Sequence, residues 1–264
     1  MSSVQRMHRF YWQQTMLRIK DPARTVPFYR EHFGLQLIHK YDFPQWKFSL
    51  YFMGTFPSGT VLPEPGTAEA EQFLWNMTDG ACLEFTHNHG SETDDTFKVN
   101  TGNVEPHRGF GHIAMMTPDV YASCAKLEAD GVAFQKKPDE GRMKGLAFAL
   151  DPDGYWVEII RRAEQSPIAN PFTLAQTMQR IKDPEKSLRF YRDILGMDLI
   201  SVREFGKGTD WGFSLYFLAT LTDEQRAALP ADPTSEEAAD FPRHMFQPVL
   251  ELTHNHGTEN DPNF

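Results

Sequence analysis

The sequence predicts an α+β fold assembled from repeated βαβββ modules. Two observations carry that reading. The chain repeats itself in three ordered blocks. Gln14-Thr15-Met16-Leu17-Arg18-Ile19-Lys20-Asp21-Pro22 returns as Gln176-Thr177-Met178-Gln179-Arg180-Ile181-Lys182-Asp183-Pro184, an offset of 176 − 14 = 162 residues. Phe48-Ser49-Leu50-Tyr51-Phe52 returns from Phe213 at an offset of 165, and Leu83 to Gly90 returns as Leu250 to Gly257 at 167. An offset that grows slowly is what loop insertions in a duplicated fold produce. Second, helix-boundary signals and strand alternation recur in the same order in each copy.

The first module opens with a strand at Gln14. Asp21-Pro22 then gives an N-cap and a proline suited to the first helical position, and Gly34 gives a stop. Pro27 falls inside that helix, where a kink or early break is expected; the repeat has Arg189 there. Phe48, Leu50 and Phe52 alternate as a half-buried strand does. A long loop is expected over Thr55 to Phe73, before the strand that carries Glu84. The second module opens with a strand at His112. Thr117-Pro118 starts its helix in the same manner, with Val120, Cys124 and Leu127 on one face and Gly131 as the stop. The modules are expected at 8–105, 106–163 and 171–264. They make a first domain over 1–163, a proline-bearing linker over 164–170, and a second domain over 171–264 that holds one module. No fourth copy follows the Thr-His-Asn-His-Gly block before Phe264, so a fourth module is expected to be missing.

Bulk properties exclude several classes. A chain of 264 residues is one large domain or two ordinary ones. Its 40% hydrophobic and 23% charged residues are an ordinary globular mixture. A net charge of −10 argues against nucleic acid as a partner. Two cysteines, Cys82 and Cys124, make neither a disulfide framework nor a thiolate zinc site, and fit a reducing cytoplasm. No run approaches the ~20 apolar residues of a membrane span, and the N-terminus has no signal-peptide core.

The motif Asp-Gly-x-x-x-Glu occurs at Asp79–Glu84 and Asp153–Glu158, 158 − 84 = 74 residues apart. Each copy follows a strand that begins at Gln14 or His112. A glutamate at a strand end is usually a solvated surface residue, and a single histidine is more often structural. The repeat symmetry reverses both odds. A Gln/Glu/His/Glu set suits a hard or borderline divalent cation. His87 and His89, two apart at a strand end, read as surface decoration.

Together these blocks resemble the glyoxalase I family in its internally duplicated form. So do Arg108-Gly109-Phe110-Gly111-His112, Met143 to Phe148 and Asp151 to Glu158. The resemblance covers nearly the whole chain. It implies the vicinal-oxygen-chelate fold, with curved mixed sheets from paired βαβββ modules around a metal site. It implies lactoylglutathione lyase activity, in which the hemithioacetal of methylglyoxal and glutathione becomes S-lactoylglutathione. That reaction is an internal redox shift, and no dinucleotide-binding loop is found. A base removes a proton beside a carbonyl, and a divalent ion stabilises the developing enediolate charge.

By the family's pattern the metal ligands are Gln14, Glu84, His112 and Glu158, with Glu158 as the base. Family pairing of modules two and three gives one complete in-chain site: His112, Glu158, Gln176 and Glu251, with Glu251 the second catalytic carboxylate. Gln14 and Glu84 then need partners from a second chain, by domain swapping. Zn²⁺ is favoured, with Ni²⁺ and Co²⁺ chemically open. The resemblance assigns glutathione to Arg18, Asn88 and Arg108, with Lys136, Arg142 and Met143 on a closing loop. Arg180 and Asn255 replace Arg18 and Asn88 in the complete site. The family usually has Lys at position 142. Phe43, Phe48, Leu50 and Phe52 are candidates for an apolar pocket around the substrate's methyl end. Rival readings on the same fold are a dioxygenase or epimerase, a non-enzymatic sequestering protein, and an inactive fragment. A dioxygenase normally has histidine where this chain has Gln14.

Overall fold

The computed structural model describes residues 10–78 and 80–264. The start of the first expected module, residues 8 and 9, and Asp79 of the first Asp-Gly-x-x-x-Glu motif lie outside the described residues. Three βαβββ runs follow one another along the chain, two of them with extra helices before the last strand. The described residues divide into two compact units. One comprises 13–177 with 243–248, and the other comprises 10–12, 178–242 and 249–264. Among the described residues no helix is long and apolar enough to cross a membrane.

In the first run, β1 (Gln14–Ile19) leads into α1 (Pro22–Phe33). The Asp21 carboxylate accepts from Ala23 N, and Gly34, at φ +71°, turns its N–H back onto Arg30 O and Tyr29 O. These are the expected caps. The break expected at Pro27 does not occur, because α1 runs through it as one helix of 12 residues. Pro27 forgoes the backbone bond to the carbonyl of Ala23, and the helix continues past it. At the equivalent place in the third run, α4 (Pro184–Leu188) passes into a π-helical turn over Arg189–Ile194.

β2 (Gln36–Phe43), β3 (Phe48–Gly54) and β4 (Cys82–Asn88) complete a four-stranded sheet in the order β1-β4-β3-β2. The loop expected over Thr55 to Phe73 is partly helical. Its α2 (Ala68–Trp75) is started by Thr67, whose side chain accepts from Ala70 N. The sequence Ala-Glu-Ala-Glu-Gln-Phe-Leu-Trp is rich in good helix formers, and its acidic residues sit in the first turn. Strand alternation sorts this sheet into two faces. Leu17, Ile19, Met53, Leu83 and Phe85 point into the main core with Tyr29 and Phe33 of α1. Gln14, Met16, Arg18, Glu84, Thr86 and Asn88 take the other face.

The second run is β5 (Phe110–Thr117), α3 (Val120–Ala129), β6 (Phe134–Lys136), β7 (Ala147–Leu150) and β8 (Trp156–Arg161). Here α3 is capped by Asp119, which accepts from Ala122 N, and not by Thr117. Thr117 ends β5 and spends its hydroxyl on Ser123, 2.8 Å away. Val120, Cys124 and Leu127 are the buried residues of α3, as their spacing predicts. β5 pairs in parallel with β8, setting Ala114 opposite Glu158 and His112 opposite Trp156.

The β7–β8 turn ties this run to the first. Asp153 accepts from Lys20 N and Thr25 Oγ1, both at 3.0 Å, and Tyr155 donates to Arg18 O at 3.1 Å. Asp151 accepts from Tyr29 Oη at 2.9 Å. The strand order β9-β5-β8-β7-β6 continues through the start of β9 (Thr173–Arg180), and Thr177 Oγ1 lies 2.7 Å from Thr15 Oγ1.

In the third run, β10 (Asp198–Phe205), β11 (Phe213–Ala219) and β12 (Val249–Asn255) form an antiparallel ladder. Its register repeats the first run: Phe52 faces Glu84, and Phe217 faces Glu251. Ile181 N donates to Thr253 O at 2.9 Å beside β12. Between β11 and β12 lie α5 (Asp223–Ala228), held by a Thr222–Gln225 capping box, and α6 (Glu236–Asp240).

Candidate metal centre

Three neighbouring strands bring one candidate ligand side chain each to a common point. β5 supplies His112, β8 supplies Glu158 and β9 supplies Gln176. Because β5 and β8 run parallel, residues two positions apart in register share a face, and His112 meets Glu158 there. His112 Nε2 lies 3.3 Å from Glu158 Oε2. Gln176 Nε2 donates to Glu158 Oε2 at 2.7 Å and lies 3.3 Å from His112 Nε2. Their relative exposures are 5%, 7% and 6%, so water screens this cluster little.

This donor set fits a divalent ion. A buried carboxylate beside an imidazole and a carboxamide offers nitrogen and oxygen without thiolate. Phe148 pairs with Glu158 across β7 and β8, and its ring centroid is 5.3 Å from that of His112. It forms an apolar wall of the site. On the same face at the sheet edge, Lys136 donates to Leu146 O at 2.6 Å. Burial pushes the Lys136 ammonium down from its ordinary value, and the neighbouring charge of Lys144 adds to this. Glu158 pulls the other way.

The first run carries a second, simpler pair. Gln14 Nε2 donates to Glu84, and Thr86 Oγ1 donates to Glu84 Oε1 at 3.0 Å. Burial raises the Glu84 carboxyl above its usual range, against the pull of Thr86 and Arg18. Arg18 donates to Asn88 on the same face. The smaller unit repeats part of this grammar: Glu251 is buried and accepts from Thr253 Oγ1 at 3.2 Å. Arg180 ends β9 and Asn255 ends β12, as Arg18 and Asn88 lie in the first copy.

The remaining expected residues lie around these strands. Arg108 is exposed and pairs with Glu105 at 3.4 Å. Arg142 and Met143 are exposed between β6 and β7. Phe43 and Phe48 are half-buried at the β2–β3 hairpin with ring centroids 4.8 Å apart. Leu50 is half-buried, whereas Phe52 sits in a closed cluster with Ile38, Phe56, Leu74 and Cys82. His87 and His89 make local contacts: His87 Nε2 lies 2.8 Å from Glu92, and His89 Nε2 lies 2.8 Å from Ser49. Both cysteines are buried, and burial pushes their thiols up, Cys82 to about 12 and Cys124 to about 11.

Sequence reasoning passed over the two threonines that hold the carboxylates. Their signal was present, as Glu-x-Thr recurs at 84–86 and 251–253. Phe148, Asp151 and Arg162 were also missed. Phe148 acts through strand pairing within its own run, and Asp151 and Arg162 through contacts that reach other runs, which no local pattern encodes.

The model of the Glyoxalase/Bleomycin resistance protein/Dioxygenase superfamily matches residues 12–159 and 173–264. The chain belongs to that superfamily. It is 44% identical over 256 residues to glyoxalase I of Saccharomyces cerevisiae, covering 95% of this chain and 71% of that protein. It is 37% identical over 263 residues to lactoylglutathione lyase of Schizosaccharomyces pombe, covering 99% and 77%. The crystal structure of glyoxalase I from Zea mays is similar at a TM-score of 0.63 and 28% identity, over 94% of this chain and 68% of that one. The superfamily's fold is thus the one these repeated βαβββ runs build.

Proposed function

We propose that the protein is a metal-dependent lactoylglutathione lyase, isomerising the methylglyoxal–glutathione hemithioacetal to S-lactoylglutathione. The observation that carries this is the convergence of buried Gln176, His112 and Glu158, in a chain 44% identical to a yeast glyoxalase I. Gln176, His112 and Glu158 would hold the metal, and Glu251 would be the fourth ligand. Glu251 is assigned by its repeat equivalence to Glu84, since both face a phenylalanine of the neighbouring strand. When bound, a divalent ion supplies Lewis-acid stabilisation of negative charge on the substrate oxygens. The oxygen and nitrogen donors suit Zn²⁺, Ni²⁺ and Co²⁺ alike, and Zn²⁺ is favoured by the likeness of the long Thr55–Phe73 loop to those of zinc-using members of the family.

The side chains do the proton work. Glu158 takes the proton from the substrate carbon that bears sulfur and hydroxyl. The electron pair of that C–H bond moves toward the adjacent carbonyl, giving an enediolate. A carboxylate then returns the proton to the former carbonyl carbon, and the thioester forms without external oxidant or reductant. Gln176 orients the carboxylate of Glu158 through its 2.7 Å hydrogen bond. Glu251 is the second carboxylate of the pair. Phe148 excludes water from one side, which strengthens charge interactions at the reacting centre.

Glutathione's carboxylates go to Arg180 with Asn255, to Lys136 at the end of β6, and to Arg142, with Met143 beside it, on the β6–β7 loop. Arg18, Asn88 and Arg108 are the corresponding set on the first run. Arg at position 142 keeps the charge but offers a planar fork in place of an ammonium. Phe43, Phe48 and Leu50 line the apolar pocket of the first run, with Phe52 beneath them. By internal repeat the chain divides into 1–163 and 171–264 around the linker, although its compact units change over at 177–178, and the acidic, thiol-reduced chain acts in the cytoplasm.

The test follows thioester absorbance with methylglyoxal and glutathione, with and without EDTA and added zinc. Activity that EDTA abolishes and zinc restores is expected, and Glu251→Gln should lose most of it. Full activity in Glu251→Gln would overturn the assigned ligand set. No thioester with any divalent ion would overturn the activity.

A further inference from the structure

Arg162 is a buried cation without a counter-ion among its hydrogen-bond partners. It is 2% exposed, and burial pushes its guanidinium down from its ordinary value. Every partner is neutral. Nη2 donates to Met116 O at 3.1 Å and Thr173 Oγ1 at 3.2 Å. Nη1 donates to Ile168 O at 3.1 Å and Asn170 O at 2.7 Å. Its backbone N–H donates to Thr117 O at 2.8 Å. Desolvating a charge for such modest contacts is unfavourable unless the geometry does something an apolar side chain cannot.

The positions of those partners are informative. Arg162 directly follows β8, four residues beyond Glu158. Met116 lies in β5, four residues beyond His112. Thr173 opens β9, three residues before Gln176. Ile168 and Asn170 belong to the segment that delivers the chain into β9. That segment is pinned again where Asn170 Nδ2 donates to Phe56 O at 2.6 Å and Leu174 N to Thr55 Oγ1 at 3.1 Å.

We propose that Arg162 is a positioning residue for the metal centre: one planar guanidinium fixes the mutual stagger of the three strands that present His112, Glu158 and Gln176. The inference rests on the metal-site reading above. Arg suits the task because its rigid fork meets several carbonyls in set directions, which a lysine ammonium does not. β9 joins the ligand set through a connection with no helix or strand of its own. Its register beside β5 is therefore fixed by these side-chain bonds together with its own ladder. Residues that orient metal ligands from outside typically change metal affinity ~10–100-fold when removed.

The test uses Co²⁺ on the full chain. Its visible bands report ligand geometry, and competition with a chelator reports affinity. Arg162→Met leaves the carbonyls of Met116, Ile168 and Asn170 without their donor. Thr173→Val removes one acceptor at nearly constant shape. Leu127→Ala, in the buried face of α3, is a control for general destabilisation. Arg162→Met is expected to weaken Co²⁺ binding ~10–100-fold and shift the bands. Thr173→Val should do so severalfold, and Leu127→Ala should lower Tm with neither effect.

Wild-type affinity and spectrum in Arg162→Met and Thr173→Val would overturn the proposal, as would an equal shift in Leu127→Ala. If Arg162→Met does not fold, Thr173→Val decides by the same readings. Absence of Co²⁺ bands in the wild type, or their survival in Gln176→Ala, would instead sink the metal-site reading, and this inference with it.

Discussion

Replacing Asp151 with asparagine should flatten the protein's stability–pH profile. Asp151 is 5% exposed in the β7–β8 turn. Its Oδ1 accepts from Asp153 N and Tyr155 N, both at 2.9 Å, and its Oδ2 accepts from Tyr29 Oη at 2.9 Å. Burial, with the nearby Asp153 charge second, pushes its carboxyl up to about 7. An unfolded aspartate titrates near ~3.9. Between those values the folded protein holds a proton that the unfolded chain has lost. Stability from this group is therefore complete below pH ~4 and drains away as pH rises through about 7. The gap of about 3 pH units, at ~1.4 kcal/mol each, sets a ceiling of about 4 kcal/mol on the change.

Asparagine keeps the two backbone bonds and reverses the one to Tyr29. Its Oδ1 accepts the two backbone N–H groups, and its Nδ2 donates to the Tyr29 oxygen. It carries no charge to desolvate. Urea denaturation of both proteins at pH 5, 6, 7 and 8 measures the effect. Asp151→Asn should gain on the wild type steadily from pH 5 to about 7 and level off by pH 8. Parallel curves, or a wild type that gains on the variant as pH rises, would refute the argument.

Two further outcomes are expected. Glu158→Gln should remain folded and lose ~10²–10⁴-fold in kcat, or about 3–5.5 kcal/mol of barrier, read from thioester formation at saturating metal. Gly102→Ala should destabilise by about 2–4 kcal/mol in denaturant titration. Gly102 sits at φ +77°, and an added Cβ would collide with the carbonyl oxygen of Phe110, the first residue of the strand that carries His112.

What the sequence disclosed and what it hid divide along physical lines. Features set by local chemistry were legible: the Asp21 and Gly34 caps, the buried face of α3, and the alternation along β3. The repeat disclosed the rest of the plan, because Glu251 inherits the register of Glu84 strand for strand. Local competition produced the misreadings. Asp119 caps α3 in place of Thr117, and Pro27 is tolerated where one lost bond suffices. The charged α2 window was hidden by the proline- and glycine-rich residues before it. Arg162 and Asp151 were invisible for a different reason. Each combines near partners in irregular chain with a distant one, Tyr29 for Asp151 and Met116 for Arg162, and neither spacing nor composition predicts which carbonyls or amides will gather around one buried group.

Zinc content of the purified chain, wild type against His112→Ala, tests the central claim most directly. Both proteins would be loaded with excess zinc, freed of unbound ion and measured by elemental analysis, with circular dichroism confirming the fold. The ligand arrangement at Gln176, Glu158 and His112 predicts about one tightly held ion per wild-type chain, and its loss from the folded variant. Equal zinc in the two proteins would contradict it.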